Sequence, residues 1–264
     1  MNPSWLAAAE AAVMAAGNVI RPYFRMPIEA AEKADASPVT IADRDAERAM
    51  RTVLAERLPG HGILGEEFGL ERGEARCRWV LDPIDGTRAF ITGRPNFGVL
   101  LALFEDAVPV LGIIDQPITG ERWIGLRDAP TRFVSNSLPG RPGTRACSSL
   151  ARAELSCTSP EMLDGSARPR WDSLRRSVKR ATWGGDCYAY GLLALGHIDI
   201  IAECDMKPWD WAALVPVIEG AGGRITDWQG ATLRAGGDGT VLAVGDPALL
   251  APAVRALACD GGIG

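Results

Sequence analysis

Two apolar runs between Phe97 and Asp115 flank the acidic pair Glu105–Asp106, a pattern that predicts an antiparallel hairpin. Strand-like stretches stand before it, in "GILGEEFG" and "RWVLDPIDGT", and after it, in "RWIGL" and "RFVSN". This β-rich section follows two amphipathic helices. Trp5, Ala9, Ala12, Val13, Ala16, Val19, Ile20, Tyr23 and Phe24 recur at i, i+3, i+4 spacing and predict a first helix ending near Pro22–Pro27. A polar loop and a short extended piece, Pro38 to Ile41, come next. Asp43 then opens a second helix carrying Ala46, Met50, Val53, Leu54 and Leu58, stopped by Pro59–Gly60.

The punctuation changes after the Pro/Gly/Arg-rich stretch "SLPGRPGTR", Ser137 to Arg145. Beyond it the chain predicts a helix near Asp172–Lys179, a helix over Cys187–Leu195 and the strand "HIDIIAE". A helix from Asp210 to about Glu219, the strands "RITD" and "TVLAV", and a last helix over Pro247–Ala258 complete it. That alternation is of the α/β type. With 264 residues there is room for two intimate halves, divided as 1–138 and 139–264.

Several functions are disfavoured by composition. A net charge of −5 and the lack of any dense Lys/Arg run give no field for nucleic acid. The longest apolar runs, such as Val99 to Phe104, fall far short of a membrane span. The start of the chain lacks a basic n-region, and Glu10 interrupts its apolar stretch, so no signal peptide is expected. Six cysteines without a C-x-x-C pair argue against zinc and against a disulfide scaffold, and suit a reducing cytoplasm. With only His61 and His197 present, a histidine-based catalyst is disfavoured.

Chemistry concentrates in Asp82-Pro83-Ile84-Asp85-Gly86-Thr87, at the end of a predicted strand. An isolated hexapeptide of this kind also suits a turn. An aspartyl-nucleophile phosphatase of the haloacid-dehalogenase type needs D-x-D, whereas these carboxylates are three residues apart. Other acids stand at matching element ends: Glu66 and Glu67 after Gly65, Asp210 after Pro208–Trp209, and Asp43. Carboxylates grouped at loop ends suit a hard cation such as Mg²⁺, with Glu66, Asp82, Asp85 and Asp210 as ligands and the Ile84 carbonyl as a further oxygen. Gly86 and Thr87 would then offer backbone N–H groups to a phosphate. A cation beside a phosphate cradle implies phosphoryl chemistry without histidine.

Together, Glu66–Glu67 after Gly65, "WVLDPIDGT" and "WDWAALVPVIEGAGG" resemble the motif set of the inositol monophosphatase superfamily of Mg²⁺-dependent phosphatases, and the likeness runs from "SPVTIAD" to "GAGGRITDWQG". The resemblance implies a layered αβαβα sandwich, an α+β half followed by an α/β half, and a homodimer. It implies more than one Mg²⁺ held by Glu66, Asp82, Asp85, Asp210 and Ile84, and a Thr87 hydroxyl bonded to Asp43 that orients the attacking water with Glu66. Direct in-line attack by a metal-activated water, with no phosphoenzyme, is the expected mechanism. Substrate-facing residues are expected at Asp85, Gly184, Asp186, Glu203 and Asp210. Two acids at Asp186 and Glu203 favour a leaving group that carries positive charge. The wording "DPIDGTRAFITGRPNFG" and "GGDCYAYG" is similar to the histidinol-phosphatase branch, so L-histidinol phosphate is the expected substrate. Inositol phosphates or another small phosphoester are the alternative, and a regulatory binding module is a third reading. Asp186 also suits the N-cap of the following helix, and Glu203 a solvated strand end.

Overall fold

The computed structural model describes residues 2–32 and 38–258, so most of the predicted polar loop and Cys259 lie outside the described residues. Helix α1 (Pro3–Ile20) begins where the fixed φ of Pro3 suits a first turn and the Asn2 side chain accepts the Ser4 N–H at 3.0 Å. A short antiparallel ladder, β1 (Ala30–Glu32) with β2 (Pro38–Thr40), leads into α2 (Ile41–Arg57). This helix starts two residues earlier than the sequence predicts. Thr40 is the cap, its hydroxyl accepting the Ala42 N–H, while the Asp43 carboxylate reaches back to the Thr40 N–H at 2.8 Å. Asp43 is thus the third residue of a capping box rather than the first of the helix.

The first sheet follows: β3 (Gly62–Gly65), β4 (Gly69–Glu71), β5 (Cys77–Asp85), then the one-turn helix α3 (Thr87–Ile91), β6 (Gly98–Glu105), β7 (Val108–Gln116), β8 (Glu121–Leu126) and β9 (Arg132–Ser135). Its order is β4-β3-β5-β6-β7-β8-β9, with β6/β7 as the predicted hairpin and β3/β5 the one parallel pairing. The second set of elements is β10 (Glu154–Cys157), α4 (Ala167–Ser177), β11 (Arg180–Trp183), α5 (Asp186–Ala194), β12 (Ile200–Glu203), α6 (Pro208–Trp211), α7 (Leu214–Gly220), β13 (Arg224–Thr226), β14 (Val241–Val244) and α8 (Leu250–Ala258). They form a sheet of order β11-β10-β12-β14-β13.

Three departures from the sequence reading have physical causes. The single helix expected over Asp210–Glu219 is two, α6 and α7, and begins at Pro208. A continuous helix would need the residue-216 amide to bond Ala212, and Pro216 has none. The strands β10 and β11, four residues each, carry too little alternation to be read. The helix expected near Asp172–Lys179 runs over Ala167–Ser177 instead, and Arg180 just beyond it lies on β11, where it pairs with Glu154 at 2.6 Å.

Strand alternation sorts the apolar side chains into three cores. Trp79, Leu81, Val99, Leu101 and Leu103 face α1 and α2. Their neighbours Val80, Leu100, Ala102 and Phe104 face α5, α6 and α7, which meet Ile201, Val241 and Ala243 of the second sheet. On that sheet's far side Ile200, Ala202, Leu242 and Val244 pack with Trp171 and Leu174 of α4 and Leu257 of α8. Five layers with three cores between them make the αβαβα sandwich that the resemblance implies.

Candidate active site

A strand alternates its faces with period two, so Asp82 and Asp85 of a regular β5 would point to opposite sides. They do not, because β5 is bulged between them. Asp82 pairs with Leu100 and Asp85 with Gly98, three residues on β5 against two on β6. The extra residue returns Ile84 to the first core beside Leu81, and leaves both carboxylates on the side of the middle helices. The Asp82 carboxylate secures the bulge by accepting the Ile84 N–H at 3.0 Å.

From that middle layer α6 brings Asp210, whose carboxylate accepts the Lys207 N–H at 2.7 Å as the third residue of the helix. Asp82, Asp85 and Asp210 each bring a carboxylate oxygen within 4.8 Å of the others. Glu66, just after β3, stands outside that trio but near enough to raise the pKa of both Asp82 and Asp210. Its backbone N–H bonds the Leu81 carbonyl.

The Glu66–Glu67 corner rests on a buried group that sequence reasoning passed over. Glu47 of α2 is fully buried, accepts the Glu67 and Phe68 N–H groups at 2.7 and 3.3 Å, and pairs with Arg51 at 2.7 Å. Gly65 makes room for it, since a Cβ there would lie 2.0 Å from a Glu47 carboxylate oxygen. In sequence, Glu47 and Arg51 look like an i,i+4 surface pair; the signal against this was their place on the Asp43/Met50/Leu54 stripe of α2. Glu47→Ala would leave the Arg51 Nε and two loop amides without their acceptor, while Arg51 keeps Glu71 at 3.0 Å, and is expected to cost about 1–3 kcal/mol. A urea midpoint unchanged from wild type would refute that support.

On the other flank, Gly86 adopts φ +93°, open to glycine and strained for other residues, and starts α3. Thr87 places its hydroxyl 3.3 Å from Asp43 Oδ1 and 3.1 Å from the Ile84 carbonyl. With one hydrogen to donate, it serves one of these acceptors at a time. Asp43 is buried, which raises its pKa against the opposing effect of the Thr40 hydrogen bonds.

The second half closes the site. Asp186 is the first residue of α5, with φ +45° and no capping bond; Gly185 holds the cap position. The helix is capped from outside, by Asp85 Oδ2 accepting the Cys187 N–H at 2.5 Å. The Asp186 carboxylate packs against Gly86, where an added Cβ would meet it at 3.0 Å. Glu203 is buried rather than solvated, and its oxygens accept the Thr158 N–H at 2.6 Å and the Tyr190 hydroxyl at 2.8 Å. A cavity of about 180 Å³ is lined by Asp85, Asp186, Glu203, Asp210, Thr158 and Tyr190. Gly184 lies two residues before Asp186, with φ +88° and its N–H bonded to the Cys157 and Thr158 carbonyls. Of the two flanking tryptophans, Trp211 is core and meets Phe104 edge-on, while Trp209 is half-buried.

These acids press on one another. Burial first, then Glu66, Asp85 and Asp210, drives the Asp82 pKa well above the carboxylate range. Burial and then Asp186 and Asp210 do the same to Asp85. Asp210 rises to about 7 through burial, the Lys207 N–H opposing, and Asp186 to about 7 through burial and Glu203, with Arg88 opposing. A cation would remove both penalties at once, because it supplies charge and replaces lost solvation. An all-oxygen donor set fits a hard divalent ion and does not fit a thiophilic one.

Comparison with known proteins bears on the family and the fold. The model of the inositol monophosphatase family matches residues 1–258. The chain is 50% identical over 218 residues to the bifunctional phosphatase IMPL2, chloroplastic, of Arabidopsis thaliana, covering 82% of this chain and 62% of that protein, less than two thirds of its length. It is 40% identical over 210 residues to a histidinol-phosphatase of Mycobacterium tuberculosis, covering 78% of this chain and 80% of the other. A solved inositol monophosphatase from Zymomonas mobilis superposes with a TM-score of 0.86 at 48% identity, over 96% of each chain.

Proposed function

The chain belongs to the inositol monophosphatase family, and from that membership we propose a Mg²⁺-dependent phosphomonoesterase that hydrolyses L-histidinol phosphate to L-histidinol and phosphate. The observation carrying the substrate is the pairing of Asp186 and Glu203 on one small cavity with Asp85 and Asp210. Glu66, Asp82, Asp85, Asp210 and the Ile84 carbonyl would hold the magnesium. When bound, it would offset the charge on the phosphate oxygens and lower the pKa of water in its shell.

The chain's own residues then do the positioning. Thr87 donates its hydrogen to Asp43, leaving the hydroxyl oxygen as an acceptor for a water hydrogen; the Glu66 carboxylate takes the water's proton as its oxygen attacks phosphorus, the P–O bond to the alcohol breaks, and the leaving alkoxide takes up a proton from water. The Gly86 and Thr87 amides hold the phosphate. Two further acids of the cavity, Asp186 and Glu203, face the departing alcohol with Gly184 beside them, while a third, Asp205, is exposed and paired with Lys207. Each of those two acids is held against its ionised form by burial, so an ammonium between them relieves a strain that a polyol would not. In this reading residues 1–138 carry most of the metal ligands and 139–264 the alcohol side, in a homodimer within a reducing cytoplasm. The five described cysteines are free, and no described helix is long and apolar enough to cross a membrane.

The test is kcat/KM for L-histidinol phosphate against inositol 1-phosphate, with Mg²⁺. Histidinol phosphate is expected to lead by at least tenfold; the reverse order would assign the chain to inositol phosphates, the substrate class in the name of the Z. mobilis protein. Asp186→Asn removes a charge-assisted contact worth about 1.5–3 kcal/mol. It is therefore expected to lower kcat/KM for histidinol phosphate by about 10- to 100-fold and to leave inositol 1-phosphate within about twofold. Equal losses on both substrates would show that Asp186 does not read the amine.

A further inference from the structure

A larger cavity, of about 530 Å³, lies at the opposite end of β5 from the acids. Its walls are apolar: Leu64 of β3, Val80 of β5, Phe104 of β6 and Leu233 of the loop between β13 and β14. Two arginines break that surface. Arg78 lies on β5 with its Nε buried and without a hydrogen-bond partner among the described residues. Arg234 reaches the cavity from the exposed loop and has no ion pair among the described residues. The one acid in the wall, Asp106, is engaged by Arg76 Nε at 3.0 Å. The cavity therefore offers unopposed positive charge on an apolar floor.

We propose that this cavity is a second binding site, for an amphipathic anion: one or two apolar or aromatic rings bearing a carboxylate, sulfonate or phosphate. The volume falls within the range of small-molecule sites. The rings would lie on Leu64, Val80, Phe104 and Leu233, while the anionic group engages the Arg78 and Arg234 guanidiniums, whose planar forks suit an oxyanion. Arg78, Val80 and Asp82 share one face of β5, so Arg78, at the anionic end of the site, stands about 13 Å along the strand from Asp82. The site is distinct from the acid cluster but joined to it by two short elements. Pro208 lines the cavity and opens the helix carrying Asp210, and Leu64 lies two residues before Glu66.

The probe is 1-anilinonaphthalene-8-sulfonate, titrated into the full chain and followed by its fluorescence. Saturable binding is expected, weakened about tenfold or more in Arg78→Gln/Arg234→Gln, since each charged hydrogen bond lost contributes at least that much. The neutral N-phenyl-1-naphthylamine should bind both proteins within about twofold. Arg234→Gln alone, on the exposed loop, keeps the test sound if Arg78→Gln disturbs folding, and Val108→Glu at the mouth should weaken the anion alone. Inorganic phosphate with Mg²⁺ should leave the probe in place. Unsaturable binding, equal affinity in the arginine variants, or displacement by phosphate would each overturn the assignment.

Discussion

Asp82→Asn is expected to reduce Mg²⁺-dependent phosphate release about a thousandfold or more while leaving the fold intact. The substitution is nearly isosteric, and its amide oxygen can still accept the Ile84 N–H that Asp82 accepts at 3.0 Å, so the bulge survives. What disappears is one of three carboxylates converging within 4.8 Å, and with it much of the attraction for a divalent ion. The same change relieves Glu66, Asp85 and Asp210 of a buried like charge. In EDTA the variant should therefore melt at a higher temperature than wild type. Turnover near wild type would remove Asp82 from the cation site, and a lower melting temperature in EDTA would contradict the repulsion described above.

Removal of the metal is the second large effect. EDTA should abolish activity, and the loss of thermal stability it causes should grow with pH. The sign follows from Asp186 and Asp210, both raised to about 7 in the folded chain from an ordinary value near 3.8. Between those values the folded protein holds protons that the unfolded chain has released. Stability from these groups is thus complete below about pH 4 and is lost as pH rises through about 7. In EDTA the melting temperature should fall from pH 5 to pH 8. With saturating Mg²⁺, which binds the ionised carboxylates, the curve should flatten. An EDTA melting temperature that rises over this interval would mean that the buried acids are compensated by something other than a cation.

Most of the site was legible because the acids it gathers sit at element ends. Asp82, Asp85, Asp210 and Glu66 fall where strands and helices stop, and those boundaries follow from apolar periodicity and from prolines and glycines. What stayed hidden depends on contacts between distant segments. The bulge contradicts strand periodicity, so nothing in "DPIDGT" alone says that both aspartates share a face. Glu47 and Arg51 have the spacing of a solvated helix pair and become structural only when the Glu66–Glu67 corner lies over them. Asp186 looked like a cap because it precedes a helical stretch, yet the cap is Asp85, 102 residues away in sequence. The four-residue strands β10 and β11 are specified by their neighbours in the sheet rather than by their own pattern.

That bond between Asp85 and the Cys187 amide has a mechanical meaning. One carboxylate belongs to the first sheet, serves the acid cluster, and holds the leading turn of a helix that packs between the sheets. Charge withdrawn from Asp85 by a cation is charge withdrawn from the helix end, so loading the cluster and fastening α5 draw on the same oxygen pair. The sandwich and its site are thereby parts of one clamp. The Cys187 amide, observable by hydrogen exchange, is the place where filling the site would be felt in the scaffold.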